Sequence, residues 1–228
     1  NQLFGIELEE FPAKIAETAL WLTEHQMNIE LSNRTEIFQS SLPLFSSNSI
    51  INENSLTFDW NEALDRSDAS YIIGNPPFKG VNQQTPIQRA ELKSLLQEKS
   101  GAGKLNYVAG WFVKAAQYIE NTDIEVAFVA TNAITKGIQV GVLWSKLLFQ
   151  YQSKINFAHR TFKWSSEAKQ SAAIHVVIIG FSYISREEKY LFDYEDPSGE
   201  PALIIVDKIN PYLLDSDNVL VNDRTTPL

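Results

Sequence analysis

The chain has 228 residues, 44% of them hydrophobic and 21% charged, with a formal net charge of -9 and no cysteine. That length holds one large domain or two small ones, and the composition is that of an ordinary globular protein. The missing cysteines exclude a disulfide framework and a thiolate zinc site, and no apolar run approaches the ~18 residues that span a bilayer.

No secretory leader is visible, and a reducing cytoplasm is the expected setting. The acidic balance counts mildly against a polyanionic partner, whose phosphates are met by lysine and arginine. Local basic patches, or a further segment, would answer that objection. The chain opens on Asn1 and enters a strand-like run at once, so it reads as a piece of a longer polypeptide.

In chain order, residues 3–7 predict a short strand. Residues 11–27 predict a helix, with Phe11, Ile15, Ala19 and Leu22 at 3–4 spacing. Pro12 falls in its first turn, where a missing N–H costs nothing. Residues 32–48 are polar and serine-rich, a loop. Residues 49–52 and 71–73 predict short strands. Between 79 and 105, Gly80, Pro86, Gly101 and Gly103 punctuate a mobile loop around a short helix at 88–97.

Residues 106–121 predict a helix with Val108, Phe112, Ala115 and Ile119 on one stripe. Residues 125–131 are nearly all apolar, the pattern of a strand buried on both faces. A helix at 141–151 and strands at 155–159 and 172–181 follow, with edge strands at 190–192 and 203–206. The last two long strands have no helix between them, so they form an antiparallel hairpin at one edge. The expected fold class is α/β with a mainly parallel sheet.

The most telling run is Ile72-Ile73-Gly74-Asn75-Pro76-Pro77-Phe78. An apolar strand that ends in an amide, two prolines and an aromatic ring suits a pocket for a flat nitrogenous ring. The amino nitrogen of adenine is a poor nucleophile, because its lone pair is delocalised into the ring. Two acceptors draw its N–H bonds out of plane: the Asn75 side-chain oxygen and the Pro76 main-chain carbonyl.

Pro76 and Pro77 each fix their own φ and restrict the residue before, so rigid acceptors need little reorganisation. Phe78 adds a flat face for base stacking, worth ~1–3 kcal/mol. The base must leave the duplex to arrive there. The rival reading is a plain turn, since Asn-Pro and Pro-Pro are common turn dipeptides.

Other residues point less sharply. His25, His159 and His175 lack acidic or histidine neighbours at ligand spacing, so no metal is expected. His175, inside an apolar strand, reads as a hydrogen-bonded core histidine. Gly101-Ala102-Gly103-Lys104 lacks the first glycine of a phosphate loop, and Leu105 stands where its hydroxyl belongs. It reads as a flexible loop that offers Lys104 to DNA phosphate.

Gly74 to Phe78 resembles motif IV of the amino-methylating DNA methyltransferases, and the surrounding segments fall in that family's order. Phe4-Gly5-Ile6-Glu7-Leu8-Glu9-Glu10 resembles motif II, and Asn54-Ser55-Leu56 before Asp59-Trp60 resembles motif III. The resemblance implies that Glu7 holds the ribose hydroxyls of S-adenosylmethionine and that Asn54 contacts its adenine. Residues 105–112 resemble the helix after the catalytic loop, and residues 126–132 with Gln139 resemble motif VI.

Residues 157–164, then 172–181, resemble motif VIII and its hairpin, which implies an aromatic stacked on the flipped base opposite Phe78. Trp164 is the first choice for that ring and Phe162 the second. Read without the resemblance, Glu7 is equally a carboxylate at a helix N-terminus. Asn54 is equally a turn residue, and both aromatics are equally packing.

The similarity covers about residues 2–182 and is strongest to the MmeI-like restriction-modification and phage-defence group. It implies a Rossmann-like sheet, adenine as target and double-stranded DNA as partner. It also implies a fused or associated endonuclease and a target recognition domain, with no membrane. Residues 1–207 are then the catalytic domain and 208–228 the link onward.

A glycine-rich motif I and the first strand are expected before Asn1. Cytosine's amino group, RNA or a protein glutamine are alternative acceptors. A non-catalytic scaffold in a nuclease complex is the alternative of another class. Residues 1–228 by themselves are expected to bind S-adenosylmethionine weakly or not at all, and micromolar affinity in a calorimetric titration would overturn this.

Overall fold

The structure is a computed structural model and describes residues 2–35, 49–97, 101–164 and 174–221. Most of the expected serine-rich loop, the first two residues of the 172–181 strand and the last seven of the link lie outside the described residues. The chain divides into two units, residues 1–65 and 66–228.

In the first unit, β1 (Gly5–Glu7) and β2 (Ile50–Asn52) pair in parallel, with Glu7 opposite Asn52. The Asn52 amide fastens the turn out of β1 by donating to the carbonyls of Glu7 (3.0 Å) and Leu8 (2.8 Å). Between them runs α1 (Glu10–Thr35), longer than its apolar pattern predicts. No glycine or proline follows Pro12 within it, and Glu30 pairs with Arg34 at helical spacing.

The expected α1 stripe is not buried: Phe11, Ile15, Ala19 and Leu22 are exposed, and Ala13 is the buried residue. The partner strands β1 and β2 are three residues each, too short to cover a helix of this length. A short helix, α2 (Trp60–Ala63), starts where the Asp59 carboxylate accepts the Asn61 N–H at 3.0 Å.

The second unit is built on a mixed six-stranded sheet in the order β3-β4-β6-β5-β7-β8. Its strands are β3 (Tyr71–Gly74), β4 (Glu125–Thr131), β5 (Lys154–Trp164), β6 (Ile174–Ser182), β7 (Lys189–Asp193) and β8 (Ala202–Val206). β3 pairs parallel to β4, and β5 parallel to β7, while β4–β6, β5–β6 and β7–β8 are antiparallel. The expected hairpin is present as β5–β6, but β7 and β8 extend the sheet past it, so it lies inside rather than at an edge.

One face carries Val126, Phe128 and Ala130 of β4 against Phe181, Ile179 and Val177 of β6. There α4 (Ala109–Tyr118), which follows the shorter α3 (Pro86–Leu96), inserts Phe112, stacked on Phe181 at 5.5 Å and edge-on to Phe128 at 5.3 Å. The predicted stripe Val108, Phe112, Ala115, Ile119 is buried throughout. Each large side chain of this kind contributes roughly 1.5–3 kcal/mol, more than an exposed ion pair gives.

Beside this core, α5 (Gly137–Gln139) runs on into π-helical turns at Val140–Trp144 and Lys146–Gln150, and Trp144 donates to the Ile134 carbonyl at 3.0 Å. Burial of β4 on both faces does not hold. On the second face Ala127 and Val129 are half-buried, and their neighbours Tyr71 and Ile73 on β3 are 72% and 80% exposed. His175 also departs from expectation, since it is exposed near the start of β6. Among the described residues, no helix is long and apolar enough to cross a membrane.

β5 slips register against β6 twice, between Ile155 and Phe157 and between His159 and Phe162. At the first slip Phe157 lies over Gly180, where an added Cβ would sit 2.0 Å from the ring. Gly180→Ala should therefore cost about 1–3 kcal/mol, the usual range for overpacking. Adding Phe157→Leu should recover part of it. Urea unfolding of the single and double variants checks both.

Candidate active site

The strand β3 delivers Asn75 to its C-terminal end. Gly74 suits that end, because a Cβ would meet the buried Phe128 ring at 3.1 Å, a tight contact to which the ring would have to yield. Beyond it the alternation of the strand persists: Asn75 and Pro77 are exposed, Pro76 is buried and Phe78 half-buried. Asn75 makes no side-chain hydrogen bond with any described residue, so its exposed amide is open to solvent.

The exit of this loop is fastened from behind. The Lys79 carbonyl accepts the Tyr107 N–H at 2.8 Å, and Gly80 donates its N–H to the Gln83 side chain at 3.2 Å. The Tyr107 phenol donates to Glu91 at 2.5 Å. Burial first, then Glu91, pushes its pKa up, so it stays protonated.

β3 pairs parallel to β4, and two antiparallel pairings through β6 give β5 the same direction, so the C-terminal part of β5 lies at the same end of the sheet as Asn75. Phe162 and Thr131 both oppose Val176 on β6. Three strand spacings separate β3 from β5 across the sheet, about 14 Å, with β4 and β6 between them. Asn132 links the end of β4 to β5 by donating to Thr161 at 3.5 Å.

The second slip of β5 sets three residues against two of β6 and turns His159 and Phe162 to one side. An aromatic cluster results. His159 stacks on Phe192 at 4.1 Å and shares a 2.8 Å hydrogen bond with the Tyr194 hydroxyl. Tyr194 in turn stacks on Phe162 at 5.1 Å. Phe162 is thus covered on one face, whereas Trp164 meets it only at a 52° tilt and is 42% exposed.

Tyr194 is a member of this cluster that sequence reasoning passes over. Its signal is legible: Tyr190, Phe192 and Tyr194 alternate with period two and so share a face. Burial raises the Tyr194 pKa, with a smaller contribution from Glu200, and burial lowers that of His159.

In the first unit, Glu7 and Asn54 lie at or just beyond the C-terminal ends of the paired β1 and β2. The Glu7 carboxylate accepts the Glu9 N–H at 3.0 Å, at the entrance to α1. The Asn54 side chain accepts the Leu56 N–H at 3.0 Å, and its carbonyl accepts from Thr57 and Phe58. Both residues therefore do local structural work, and Glu7 remains half-exposed with lone pairs to spare.

Both ends of the strands in the second unit carry charge of both signs. Lys79, Lys104, Lys136 and Lys163 fall at the Asn75 end, and so do Asp193, Glu195, Asp196 and Glu200 at and beyond the end of β7, which runs parallel to β5. Glu120, Asp123, Glu125, Glu187 and Glu188 make the other end the more acidic, although Lys154 and Lys189 start strands there and Arg186 pairs with Glu125 at 2.5 Å. A cleft of about 470 Å³ opens at that acidic end, between Ser70, Asp123 and Ile184. It lies a strand's length from Asn75 and takes no part in the site.

Comparison with known proteins gives a consistent picture. A family profile described as the MmeI DNA-methyltransferase domain matches residues 1–193. DNA methyltransferase A of Bacillus subtilis (strain 168) is 38% identical over 232 residues, covering 100% of this chain and 26% of that protein. The Type IIL restriction-modification enzyme MmeI, solved in complex with DNA, superposes with a TM-score of 0.92 at 48% identity. That match covers 98% of this chain and 30% of the other.

The ATP-dependent Type ISP enzyme LlaBIII, bound to DNA, shares the fold alone, at 13% identity and a TM-score of 0.54 over 84% of this chain and 15% of its own. The chain thus spans less than a third of the length of these relatives.

The lowered His159 pKa carries a linkage. The unfolded chain binds this proton more readily, so stability is full above the ordinary histidine value of about 6.5 and declines as pH falls through the lower folded value. His159→Gln should flatten that decline, as read from melting temperatures of both proteins across the acid range.

Proposed function

The chain belongs to the MmeI DNA-methyltransferase domain family, and from that premise we propose that it is the catalytic part of an adenine-specific DNA methyltransferase using S-adenosylmethionine. The observation that carries this reading is the exposed, solvent-open amide of Asn75 on a proline-stiffened loop, at the same sheet end as an exposed Trp164. A hydrogen-bonding side chain left exposed and rigid is poised for a ligand rather than for the fold.

In the proposed reaction the Asn75 side-chain oxygen and the Pro76 carbonyl accept the two N–H bonds of the target amine. That draws the nitrogen lone pair out of conjugation. Phe78 holds one face of the flipped base and Trp164 the other. Phe162 backs Trp164 and is itself held by Tyr194.

Glu7 accepts from the ribose hydroxyls of the cofactor, as carboxylates at strand ends do in dinucleotide folds, and Asn54 meets its adenine. When bound, S-adenosylmethionine would supply a methyl group from a positively charged sulfur, which keeps the electron pair of the broken S–C bond and leaves as a neutral thioether. The surplus proton on the product amine is acidic and leaves to water. Double-stranded DNA is the proposed partner, met by Lys79, Lys104, Lys136 and Lys163, with an associated endonuclease and recognition domain. The setting is a restriction-modification or phage-defence system.

Asn75→Ala in the intact protein should lower methyl transfer about 10²–10³-fold, the cost of removing one preorganised hydrogen-bonding group, and spare cofactor binding. Wild-type turnover in this variant sinks the assignment. Trp164→Ala should lose more base-flipping signal from a 2-aminopurine probe than Phe162→Ala. Mass analysis of modified nucleosides separates adenine from cytosine as target, and no incorporation into any acceptor leaves the scaffold reading.

A further inference from the structure

Two glutamines grip one peptide group behind the Asn75–Phe78 loop. Gln84 and Gln139 are 6% and 9% exposed. Gln84 Nε2 donates to the Leu105 carbonyl at 2.8 Å, and Gln139 Oε1 accepts the Asn106 N–H at 3.1 Å. That carbonyl and that N–H belong to the same peptide unit, Leu105–Asn106. A backbone carbonyl only accepts and a backbone N–H only donates, so the two carboxamides are oriented without ambiguity.

The next amide, Tyr107 N–H, bonds the Lys79 carbonyl at 2.8 Å, and Gln84 Nε2 also approaches that carbonyl at 3.5 Å. Lys79 directly follows Phe78. The Asn106 side chain meanwhile reaches Thr131 Oγ1 at 3.5 Å, at the end of β4. A continuous set of hydrogen bonds therefore ties the exit of the loop to the ends of β4 and α5, through a single clamped peptide.

We propose that Gln84 and Gln139 are positioning residues for the transfer reaction: they lock the Leu105–Asn106 peptide and thereby fix where Phe78 and the acceptors before it stand. This rests on the function proposed above. The two roles are chemically opposite. Gln84 is needed as a donor and Gln139 as an acceptor. An ionised glutamate keeps the shape and the acceptor but has no donor, so the same substitution breaks one half of the clamp and leaves the other intact.

The test uses the intact protein with Q84E, Q139E and Q139L, assayed for methyl transfer and for amide exchange at Asn106 and Tyr107. At about pH 10, above the range of about 8–9 that burial gives a glutamate, Q84E should lower kcat about tenfold or more, as loss of a buried hydrogen bond does. Its KM for S-adenosylmethionine should stay unchanged, and the Tyr107 amide should exchange faster. Q139E, which keeps the acceptor, should lower kcat less than Q84E does and leave exchange of the Asn106 amide slow.

Relative to wild type, Q84E should regain activity as pH falls, because the introduced carboxyl, once protonated, has a hydroxyl that donates to the Leu105 carbonyl. A residue that only supports the fold would give no such rescue. The proposal is overturned if Q84E matches wild type, if Q84E and Q139E are impaired alike, or if the Q84E defect is flat with pH. Should Q84E fail to fold, Q139L against Q139E decides: loss in the first with retention in the second upholds the clamp, and equality overturns it. If wild type transfers no methyl group, the function fails instead, and the exchange rates at Asn106 and Tyr107 alone judge the clamp.

Discussion

The register between β3 and β4, with Gly74 opposite Phe128, is the constraint from which the rest of the second unit follows. Side chains alternate along a strand, so a slip by one residue would send Asn75 into the buried face and bring Pro76 out. Two features oppose the slip. A side chain in place of Gly74 would press on the Phe128 ring at 3.1 Å, and Phe128 is pinned by Phe112 and Phe181. The aromatic core and the polar loop are therefore one device. The core sets the register, and the register decides which group is presented at the strand end.

The prolines extend that control past the last ladder bond. A strand end is usually where order decays, but Pro76 and Pro77 remove most of the remaining backbone freedom, and Lys79 is held from behind by Tyr107. On β5, two strands away from β4, order is reached differently. The slip in β5 gathers His159 and Phe162 onto one side, and stacking with Phe192 and Tyr194 holds them. One wall is stiff because its backbone is restricted, the other because its rings are packed.

Much of this is legible in the residues, for stated reasons. Asn-Pro-Pro-Phe after an apolar strand is a local pattern, and the strand of residues 125–131 is bounded as its apolar run predicts. What escapes is what periodicity does not encode. The residues beyond His159 in β5 alternate imperfectly, because the register slip breaks the phase at Arg160 and Thr161, so the strand reads as ending early. An apolar run does not say whether one face or two are covered, which is why β4 reads as buried on both.

Strand order is likewise invisible locally, so the hairpin reads as an edge. Phe11, Ile15 and Leu22 show the reverse error: a helical stripe marks a face able to pack, not one that does. Gln84, in a polar run beside Gln83, carries no local mark of its importance. Its meaning comes wholly from a carbonyl twenty-one residues away.

The length of the strands bears on how a polyanion would approach. β4 is seven residues long, roughly 23 Å at the usual rise, while ions in physiological saline damp fields over about 8 Å. A phosphate near Lys136 would thus scarcely sense the carboxylates at the far end, whatever the overall sign of the molecule. It would answer only to the charges within that reach, and at Lys163 these include the acids around Pro197, whose carbonyl accepts the Lys163 N–H at 2.7 Å.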